Sequence, residues 1–423
     1  MKIIIDDKIP FLKGVFDNIV ETQYLKGSSI TKENIKNADA LIVRTRTRCN
    51  KDLLENSSVK MVATATVGID HFDIQWLEKE GIKWSNAPGC NSGSVYQYVA
   101  SVLSLLIQNG LNPNKTIIGI VGVGMVGSKV EKLAKTLGFK VLLNDPPRAR
   151  IETNNSFSDL KTVYKEADII TFHTPLTFEG TDATFHLFDN NSLDMVKSGS
   201  IIINTSRGEV IDSHALLKGI KSGKISKAVL DVWENEPDIS PELLEKVWVA
   251  TPHIAGYSID GKANGTKISV QAISRFFNLG FDNWQPQSLP KPENPIIKIC
   301  ESNKQPFQIV AEVILKTYNV LNDDKNLRKD PSDFEKLRNN YPARREFEAW
   351  EVQISQENNC WELLMELGFT NFYKGTSKKL KSRNLLTDEK AEFKKQHFLF
   401  LSKIIASFSP LLLERVSEGR ERF

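Results

Sequence analysis

The sequence predicts an α/β protein with two parallel-sheet domains, a cleft between them, and a small third α/β domain. Three observations support this fold class. Short apolar runs alternate with helical or polar stretches in two separate series, as they do in βαβ units. A long helix with apolar periodicity flanks the second series on each side. After the second of these helices comes a segment rich in proline and polar residues, Trp284 to Pro295, which predicts a linker.

The first series contains short apolar runs that predict neighbouring strands of a small parallel sheet. They are Lys2 to Ile5, Ala40 to Val43, Met61 to Thr64 and Ile82 to Trp84. The two long helices are Gly93 to Gln108 and Gly261 to Leu279. One helix leads from the first series into the second, and the other leads back to the first domain. We therefore expect a first domain made of residues 1–92 and 255–283. The second domain, residues 93–254, is then inserted into it, and the active site is expected in the cleft between them.

A glycine-rich loop in the second domain indicates a dinucleotide site. The strand Thr116 to Val121 is followed by the pattern G-x-G-x-x-G and then by the helix Ser128 to Leu137. The loop residues are Gly122, Gly124, Met125, Val126 and Gly127. Such glycines allow a tight turn and close approach of the backbone to a pyrophosphate at the helix N-terminus. Asp145 stands 18 residues after Gly127, where a carboxylate can bind ribose hydroxyls and repel a 2′-phosphate. The succession of strand, glycine-rich loop, helix, second strand and acidic residue predicts a Rossmann-like domain that binds NAD.

Three later blocks of the second domain each end an apolar run with polar residues. They are IIINTSRGEVID, LDVWENEP and ATPHIAGYS, and they carry Arg207, Asp231, Glu236 and His253. In an open parallel sheet the carboxyl ends of the strands line the ligand crevice, so these side chains are expected in one cleft. An arginine can bind a carboxylate, and a histidine oriented by a glutamate can exchange a hydroxyl proton. The set suits hydride transfer at a 2-hydroxy acid. Asp231, at a strand end, is expected to contact the nicotinamide carboxamide or ribose.

The remainder of the chain predicts two further segments. Residues 284–369 form a small α/β domain without a recognisable catalytic set. Residues 370–423 form a basic extension, in which positions from Lys374 onward include 12 basic and 6 acidic residues. Its stretch Lys394 to Val416 fits either an amphipathic helix against a partner or membrane surface, or a loosely held extension.

Composition excludes several classes of function. The chain has 423 residues, 40% of them hydrophobic and 25% charged, as in ordinary globular proteins with sizeable cores. A net charge of +3 is too small to indicate nucleic-acid binding. No apolar run is long enough to span a membrane, and the N-terminus does not resemble a signal peptide. The cysteines show no metal-ligand spacing, and we expect reduced thiols, no metal and a cytoplasmic protein.

These motifs together resemble the D-isomer-specific 2-hydroxyacid dehydrogenase superfamily. The resemblance covers about residues 1–279 and includes VGIDHFD (Val67 to Asp73). Within that superfamily the chain is similar to the erythronate-4-phosphate dehydrogenases. The segments that carry this likeness are NAPGCNSGSV, TFHTPLTFEG, NDPPRAR and DPSDFEKLRNNYPARREFEAW. The resemblance implies oxidation of 4-phospho-D-erythronate to 3-hydroxy-2-oxo-4-phosphooxybutanoate during pyridoxal 5′-phosphate (vitamin B6) synthesis. It also implies a homodimer formed through the C-terminal domain.

The same resemblance assigns roles to residues of this sequence. Arg207 and Glu236 are expected to be catalytic, and His253 is the proton donor or acceptor. The expected NAD contacts are Asp145, Thr174, the segment Thr205-Ser206-Arg207, Asp231 and Gly256. The expected substrate contacts are Thr45, Thr66 and Tyr257. At position 97 this chain has glutamine, whereas related chains often have glutamate. This position lies in a helix that is expected to pack at the cofactor cleft.

The substrate phosphate requires cations near the cleft. In VRTRTR (Val43 to Arg48) arginines alternate with threonines, and on a strand the alternation would put all the arginines on one face. Where the strand ends, the arginines can instead splay apart. Arg44 and Arg46 are therefore candidate phosphate ligands, with a solvated basic edge as the alternative. Arg344 and Arg345 are further candidates, reaching over from a partner subunit.

Two other functions remain open at the level of sequence. One is a dehydrogenase of the same superfamily that acts on 3-phosphoglycerate, hydroxypyruvate or glyoxylate. The other is an NAD-responsive binding protein on the same scaffold, since corepressors of this superfamily can keep the Arg/Glu/His set. A turnover assay discriminates between them.

Overall fold

The computed structural model describes residues 1–152, 156–299, 304–354, 360–374 and 378–379. The chain divides into two compact units, residues 1–375 and 376–423. In the first unit, the described residues form three parallel sheets joined by helices. The expected α/β architecture is confirmed, and the described helices include none long and apolar enough to cross a membrane.

The first sheet has the strand order β2-β1-β3-β4-β5, with all neighbours parallel. Its strands are β1 (Lys2–Asp6), β2 (Glu21–Leu25), β3 (Ala40–Val43), β4 (Met61–Thr64) and β5 (Lys83–Ser85). The short helices α1 (Lys32–Ile35), α2 (Lys51–Leu54) and α3 (Ile74–Lys79) connect them. This is the flavodoxin-like order, whose switch point lies between β1 and β3. Apolar side chains are buried on both faces of β1, β3 and β4, which explains their continuous hydrophobic runs.

Strand β2 was not predicted. Its sequence, ETQYL, lacks an apolar run, and its residues are exposed or only partly buried because it lies at the edge of the sheet. Pairing with the buried strand β1 is what makes this segment extended.

The second sheet has the order β11-β10-β9-β8-β6-β7 and is also parallel. Its strands are β6 (Ile117–Val121), β7 (Lys140–Asn144), β8 (Ile169–Phe172), β9 (Ser200–Asn204), β10 (Ile225–Leu230) and β11 (Val249–Ala250). A single parallel bridge between Leu143 and Phe157 lies beside β7, at the place of the third strand of a Rossmann sheet.

The helices of this region are α5 (Gly127–Leu137), α6 (Pro146–Ile151), α7 (Leu160–Glu166), α8 (Asn190–Met195), α9 (Ser213–Lys221) and α10 (Pro241–Lys246). The two long linking helices are α4 (Ser92–Gln108) and α11 (Ile259–Phe277). Helix α4 is buried from Ser92 to Ile107, because it packs against α5, α11 and the C-terminal domain.

The C-terminal region contains a third parallel sheet in which β12 pairs with β13 and β13 pairs with β14. Its elements are β12 (Ile296–Ile299), α12 (Pro306–Thr317), α13 (Leu321–Lys329), α14 (Phe334–Asn339), β13 (Glu351–Ile354), α15 (Cys360–Glu366) and β14 (Asn371–Lys374). Strand β14 lies beyond position 369, at which the sequence predicted this domain to end. In the second unit, the structure describes only the short strand β15 (Lys378–Lys379). The predicted alternatives for Lys394 to Val416 therefore lie outside the described residues.

Candidate active site

Glu236 and His253 form the centre of the site. Strands β9, β10 and β11 are neighbours, so the loops that follow them meet at one edge of the second sheet. There, His253 Nδ1 lies 2.7 Å from Glu236 Oε2. The other carboxylate oxygen, Oε1, accepts a hydrogen bond from the backbone N–H of Trp233 at 2.9 Å. The carboxylate is therefore fixed at both oxygens, and it orients the imidazole with Nε2 available for a substrate proton.

The backbone around His253 is held in an uncommon conformation. His253 has φ 55°, in the left-handed region that non-glycine residues seldom adopt. Its N–H donates to the backbone oxygen of Asp231 at 2.7 Å. The Asp231 carboxylate accepts from the N–H groups of Ile254 and Ala255 at 2.8 and 2.9 Å, and from the Thr251 hydroxyl at 2.6 Å. Because such strain persists only where the surroundings impose it, these bonds fix the histidine loop.

Asp231 is 1% exposed, and desolvation by burial raises its pKa despite the nearby His253 and the hydrogen bonds it accepts. Its carboxylate contacts anchor the loop that carries His253. A structural role for Asp231 was not predicted, and the expected contact with NAD stays a prediction.

Arg207 spans the cleft between the first and second sheets. Its Nη1 donates to the Ser206 backbone oxygen at 2.8 Å, and Nη2 lies 3.6 Å from Asp70 Oδ2 on a loop of the first sheet. The side chain is 34% exposed, so the guanidinium is accessible to a ligand. Asn204 shapes the turn before it, since its Oδ1 accepts from Ser206 N at 3.0 Å and its Nδ2 donates to Arg207 O at 2.8 Å.

The glycine-rich loop has the geometry of a dinucleotide cradle. Gly122 has φ 85°, and a Cβ there would lie 2.8 Å from the His173 backbone. A Cβ at Gly127 would lie 2.0 Å from Gly122 O, whereas a Cβ at Gly124 would meet nothing within 4 Å. Gly124 therefore faces open space beside the N-terminus of α5, as a pyrophosphate requires. Thr174 Oγ1 is buried beside this loop without a hydrogen-bond partner among the described residues. These features fit NAD.

The neighbouring predicted cofactor residues lie around the same loop. Asp145 directly follows β7 and accepts from Val123 N at 2.8 Å, which brings its carboxylate to the loop. Met125 is exposed, and Val126 precedes helix α5. A Cβ at Gly256 would lie 2.3 Å from Asn91 Nδ2, so a larger residue there would require the Asn91 side chain to move.

His173 supports this region without taking part in proton transfer. Its two ring nitrogens lie 3.0 Å from Thr171 Oγ1 and 3.2 Å from Thr205 Oγ1. Burial lowers the pKa of His173 to about 3, so the ring is neutral at physiological pH.

The predicted substrate residues follow strands β3 and β4. Thr45 is exposed after β3. Thr66 Oγ1 lies 2.8 Å from Thr64 Oγ1 and donates to Gly68 O at 3.1 Å. His71 Nε2 lies 3.2 Å from Thr64 Oγ1, and desolvation by burial lowers its pKa to about 4. His71 therefore supports the Thr66 loop through the Thr64 hydroxyl.

The alternating arginines do not share one strand face, because they follow the end of the strand, where splaying was the other expectation. Strand β3 ends at Val43, so the following residues lie in a loop and do not share one strand face. Arg44 lies near the β1/β3 switch point, where Nη1 is 3.5 Å from Lys8 O. Arg46 instead forms an ion pair with Glu335 of the C-terminal domain. The apolar run predicts the strand itself. It does not show whether the alternating arginines and threonines that follow belong to the strand or to a loop.

Arg344 and Arg345 do not reach out of this chain, contrary to expectation. Arg345 pairs with Asp260 through bonds of 2.9 and 3.0 Å, and Arg344 is buried beside Ala255. Gln97 faces this C-terminal segment and not the cofactor cleft, since its Nε2 donates to Arg345 O at 2.9 Å. The amide is therefore a docking contact between α4 and the C-terminal domain.

Two cations at the cleft were not predicted from the sequence. Lys262 Nζ lies 5.2 Å from the centre of the Tyr257 ring. Desolvation by burial, followed by the positive charges of Arg44 and Arg344, lowers the pKa of Lys262. Arg338 of α14 forms a hydrogen bond with Tyr257. Desolvation by burial lowers the pKa of Arg338, but the nearby Tyr257, Glu236 and Glu335 outweigh it, and the pKa is raised overall. Lys262 lies five positions after the expected substrate residue Tyr257, and this proximity could have indicated a cation at the cleft. No pattern in the sequence around Arg338 indicates that Arg338 lies at the cleft.

In the described residues, neither a metal cluster nor a reactive thiol accompanies this site. No group of three or more metal-binding side chains occurs in the part of the chain that the structure describes. Cys49, Cys90 and Cys360 are buried free thiols, and burial raises the pKa of Cys49 and Cys90 to about 12. Thiols with raised pKa values are poor nucleophiles. Cys300 lies outside the described residues.

Comparison with known proteins places this site in a family. Residues 107–255 match the model of the D-isomer specific 2-hydroxyacid dehydrogenase NAD binding domain, and residues 288–368 match a domain of unknown function, DUF3410. The crystal structure of an Aquifex aeolicus D-lactate dehydrogenase with NAD and lactic acid has a TM-score of 0.56 to this chain. It is 23% identical and covers 67% of this chain and 97% of its own.

Relatives of known name are similar over much more of the chain. The erythronate-4-phosphate dehydrogenase of Escherichia coli O1:K1 is 40% identical over 87% of this chain and 98% of its own length. The erythronate-4-phosphate dehydrogenase of Bacteroides thetaiotaomicron is 50% identical over 83% of this chain and 99% of its own length. On this similarity, the chain belongs to the erythronate-4-phosphate dehydrogenase family.

Proposed function

We propose that this protein oxidises 4-phospho-D-erythronate at C2 to (R)-3-hydroxy-2-oxo-4-phosphooxybutanoate, with NAD as the electron acceptor. The reaction is a step of pyridoxal 5′-phosphate synthesis. The observation that carries the proposal is the Glu236–His253 pair, 2.7 Å apart, at the cleft that Arg207 also reaches. Family membership supplies the substrate.

His253 is the general base in the direction of oxidation. With Nδ1 hydrogen-bonded to Glu236, the neutral imidazole presents Nε2 to the C2 hydroxyl and accepts its proton. The imidazolium that results is stabilised by the Glu236 carboxylate. NAD supplies the hydride acceptor when it is bound, so the C2–H bond breaks as the C2–O bond becomes a carbonyl.

Arg207 binds the substrate carboxylate and polarises the C2 oxygen. Its guanidinium lies between the Ser206 backbone and Asp70, so it is fixed from both sides of the cleft. A guanidinium forms paired hydrogen bonds with a carboxylate, and these align C2 for transfer.

The NAD site is proposed at the residues around the glycine-rich loop. Its members are Gly122, Gly124, Met125, Val126, Gly127, Asp145, Thr174, Thr205, Ser206, Asp231 and Gly256. The unpartnered Thr174 hydroxyl and the open face at Gly124 support this assignment. Asp145 favours ribose hydroxyls over a 2′-phosphate.

The substrate phosphate is proposed to bind between Arg44 and Lys262, with Thr45, Thr66 and Tyr257 completing the pocket. Lys262 makes no ion pair with a carboxylate of the described residues, and the charged groups that shift its pKa are the cations Arg44 and Arg344. Two close cations without an anion repel each other, and a phosphate dianion relieves that repulsion. Arg46 joins them only if its ion pair with Glu335 opens.

We further propose a cytoplasmic homodimer formed through the C-terminal domain. Large apolar side chains of this domain are exposed, including Ile296, Leu321 and Trp361 at about two fifths of their area or more, as at a protein interface. The cytoplasm supplies both NAD and phosphorylated metabolites. Sedimentation velocity at micromolar concentration tests the dimer, and a monomer would refute it.

The assay is the appearance of NADH absorbance with purified protein, NAD and each of several hydroxy acids. We expect turnover of 4-phospho-D-erythronate, and a much lower kcat/KM for D-erythronate, which lacks the phosphate. Preference for D-3-phosphoglycerate, or reduction of hydroxypyruvate or glyoxylate in the reverse direction, would assign another substrate. Binding of NAD without turnover of any of these acids would favour a binding protein.

A further inference from the structure

Arg344 lies on the loop between α14 and β13 and contacts the segment that carries His253. Its Nη2 donates to the backbone oxygen of Ala255 at 2.5 Å. Longer contacts join the same nitrogen to Ser94 O at 3.3 Å and Ile254 O at 3.5 Å. Ile254 and Ala255 directly follow His253 in the sequence, so a residue of the C-terminal domain reaches the backbone of the catalytic loop.

The environment of this guanidinium is unusual for an arginine. Arg344 is only 6% exposed and forms no ion pair with a carboxylate of the described residues. It lies instead on aromatic faces, 4.4 Å from the ring centre of Tyr318 and 5.8 Å from that of Tyr341. The hydroxyls of both tyrosines donate to Asp323 Oδ2, at 2.7 and 2.8 Å. The two tyrosine side chains therefore stand between the Arg344 guanidinium and the Asp323 carboxylate, and they contact both groups.

Burying this cation is costly. Arg344 Nε and Nη1 are buried without hydrogen-bond partners among the described residues. A buried charge or unsatisfied donor destabilises a fold, and an apolar residue of similar size would fill the same space at lower cost. The position of Arg344 is therefore poorly explained by stability alone.

The loop after His253 is held from two directions. On one side Asp231, from the end of β10, accepts the N–H groups of Ile254 and Ala255. On the other side Arg344 binds the carbonyl oxygens of the same two residues. Since His253 itself has φ 55°, these opposed contacts prevent the loop from relaxing away from Glu236.

We propose that the C-terminal domain acts in catalysis within its own chain, and that Arg344 is the positioning residue through which it fixes His253. This gives a role to the region that matches a domain of unknown function. The inference rests on the proposed dehydrogenase activity, because its main consequence is a change in turnover. Arg344 does not touch the reacting atoms and acts through the backbone of residues 254 and 255.

The test compares Arg344→Met and Arg344→Lys with Arg328→Met in the full-length protein. Arg328 serves as the control, since it also extends from the C-terminal domain to two backbone oxygens, those of Leu244 at 2.6 Å and Val247 at 2.9 Å, and in addition forms an ion pair with Asp324. Those oxygens belong to the region of α10 and not to the histidine loop. The measurements are kcat and KM with 4-phospho-D-erythronate, the Kd for NAD, and the Tm.

We expect Arg344→Met to lower kcat about 100-fold, since displacement of a catalytic group by about 1 Å has an effect of that order. Arg344→Lys should recover about tenfold, because lysine can still donate to one carbonyl. The Kd for NAD should stay within about threefold in both variants. Arg328→Met should lower the Tm comparably while kcat stays near the wild-type value. Equal kcat in the Arg344 and Arg328 variants would overturn the proposal, and if Arg344→Met does not fold, Arg344→Lys decides by the same comparison.

A second measurement does not depend on activity. Hydrogen exchange followed by mass spectrometry reports the N–H groups of residues 253–257. We expect their exchange to accelerate at least tenfold in the Arg344 variants and to be unchanged in Arg328→Met. Unchanged exchange in the Arg344 variants would overturn the proposal. Failure of the wild-type protein to oxidise the phosphorylated substrate would refute the proposed function instead, so the two failures are distinguishable.

Discussion

Replacing Glu236 with glutamine tests the role of the Glu236–His253 pair. The carboxylate uses both oxygens as acceptors, one from His253 Nδ1 at 2.7 Å and the other from Trp233 N at 2.9 Å. Glutamine has one oxygen and one NH2 group, so it can accept only one of these bonds. If its oxygen turns to Trp233, the NH2 group donates to Nδ1 and the proton moves to Nε2, where it blocks proton acceptance. If the oxygen turns to His253, the Trp233 N–H loses its acceptor.

The size of the effect follows from the charge that develops on the imidazole. Two unit charges about 4 Å apart interact by about 4 kcal/mol at an effective dielectric constant near 20. The side chains of His253 and Glu236 are 31% and 20% exposed, so solvent screens part of that energy. We therefore expect a loss of about 3 kcal/mol in the transition state, which lowers kcat by about 10² to 10³.

The chain supplies a closely matched control. Glu234 Oε1 lies 2.7 Å from His186 Nε2, and Glu234 Oε2 accepts from Ser213 N at 2.9 Å. This pair has the same kinds of partner, a histidine ring nitrogen and a backbone N–H, and similar exposure, 32% for His186 and 19% for Glu234. Glu234→Gln should therefore reproduce the chemical change outside the proposed catalytic pair, with kcat within about threefold of the wild type.

The assay is steady-state NADH formation at saturating NAD and substrate, with the Tm of each variant measured in parallel. If Glu236→Gln keeps a kcat within about threefold of the wild type, the imidazolium is not stabilised by this carboxylate and the proposed mechanism is wrong. Equal losses in Glu236→Gln and Glu234→Gln would indicate a general effect on the loop.

Four further predictions follow. Arg207→Ala should lower kcat/KM by about 10³ or more without weakening NAD binding, measured by quenching of protein fluorescence, because the guanidinium binds substrate in the transition state; similar losses of both would reassign it to the cofactor. His253→Asn should lower kcat by about 10² to 10⁴, since asparagine tolerates φ 55° but cannot exchange the proton; near-normal turnover would remove His253 from the mechanism. Lys262→Met should lower kcat/KM for 4-phospho-D-erythronate by about 10- to 100-fold, the value of one charge-assisted hydrogen bond, and leave the low activity on D-erythronate unchanged; a parallel loss on both acids would refute the phosphate contact. Burial lowers the pKa of His71 to about 4, so the folded protein binds fewer protons at this residue than the unfolded chain does. The free energy of unfolding should therefore fall by up to about 3 kcal/mol as the pH drops from about 6.5 to 4. In urea unfolding, His71→Gln should show a smaller fall over that pH window, and an unchanged fall would contradict the assignment.

Elements with strong hydrophobic patterns were predicted closely from the sequence. Strands β3 and β4 have the predicted ends, and α4 begins one residue before its predicted start. Their apolar runs are buried on both sides, so local sequence and tertiary environment agree. The edge strand β2 escaped prediction because its pairing with β1, and not its composition, determines its conformation.

For the site, the sequence predicted the meeting of Glu236 and His253, because both follow neighbouring parallel strands. It did not predict the loop after β3, which separates Arg46 from Arg44 and directs it to Glu335. Nor did it predict Arg338 at the cleft, and it expected Arg344 to reach the cleft from a partner subunit and not within its own chain. Those contacts join parts of the chain roughly 80 to 100 residues apart, and they depend on how the C-terminal domain packs on α4 and α11. No local pattern encodes such packing.

The most direct test of the proposed reaction follows the hydrogen on C2. The substrate is 4-phospho-D-erythronate with deuterium at C2, incubated with NAD and the wild-type protein, and the reduced cofactor is analysed by mass spectrometry. We predict one deuterium in the reduced nicotinamide ring, together with the 2-oxo product in equal amount. Unlabelled reduced cofactor, or no reduction of NAD while the substrate is bound, would contradict hydride transfer from C2 in this cleft.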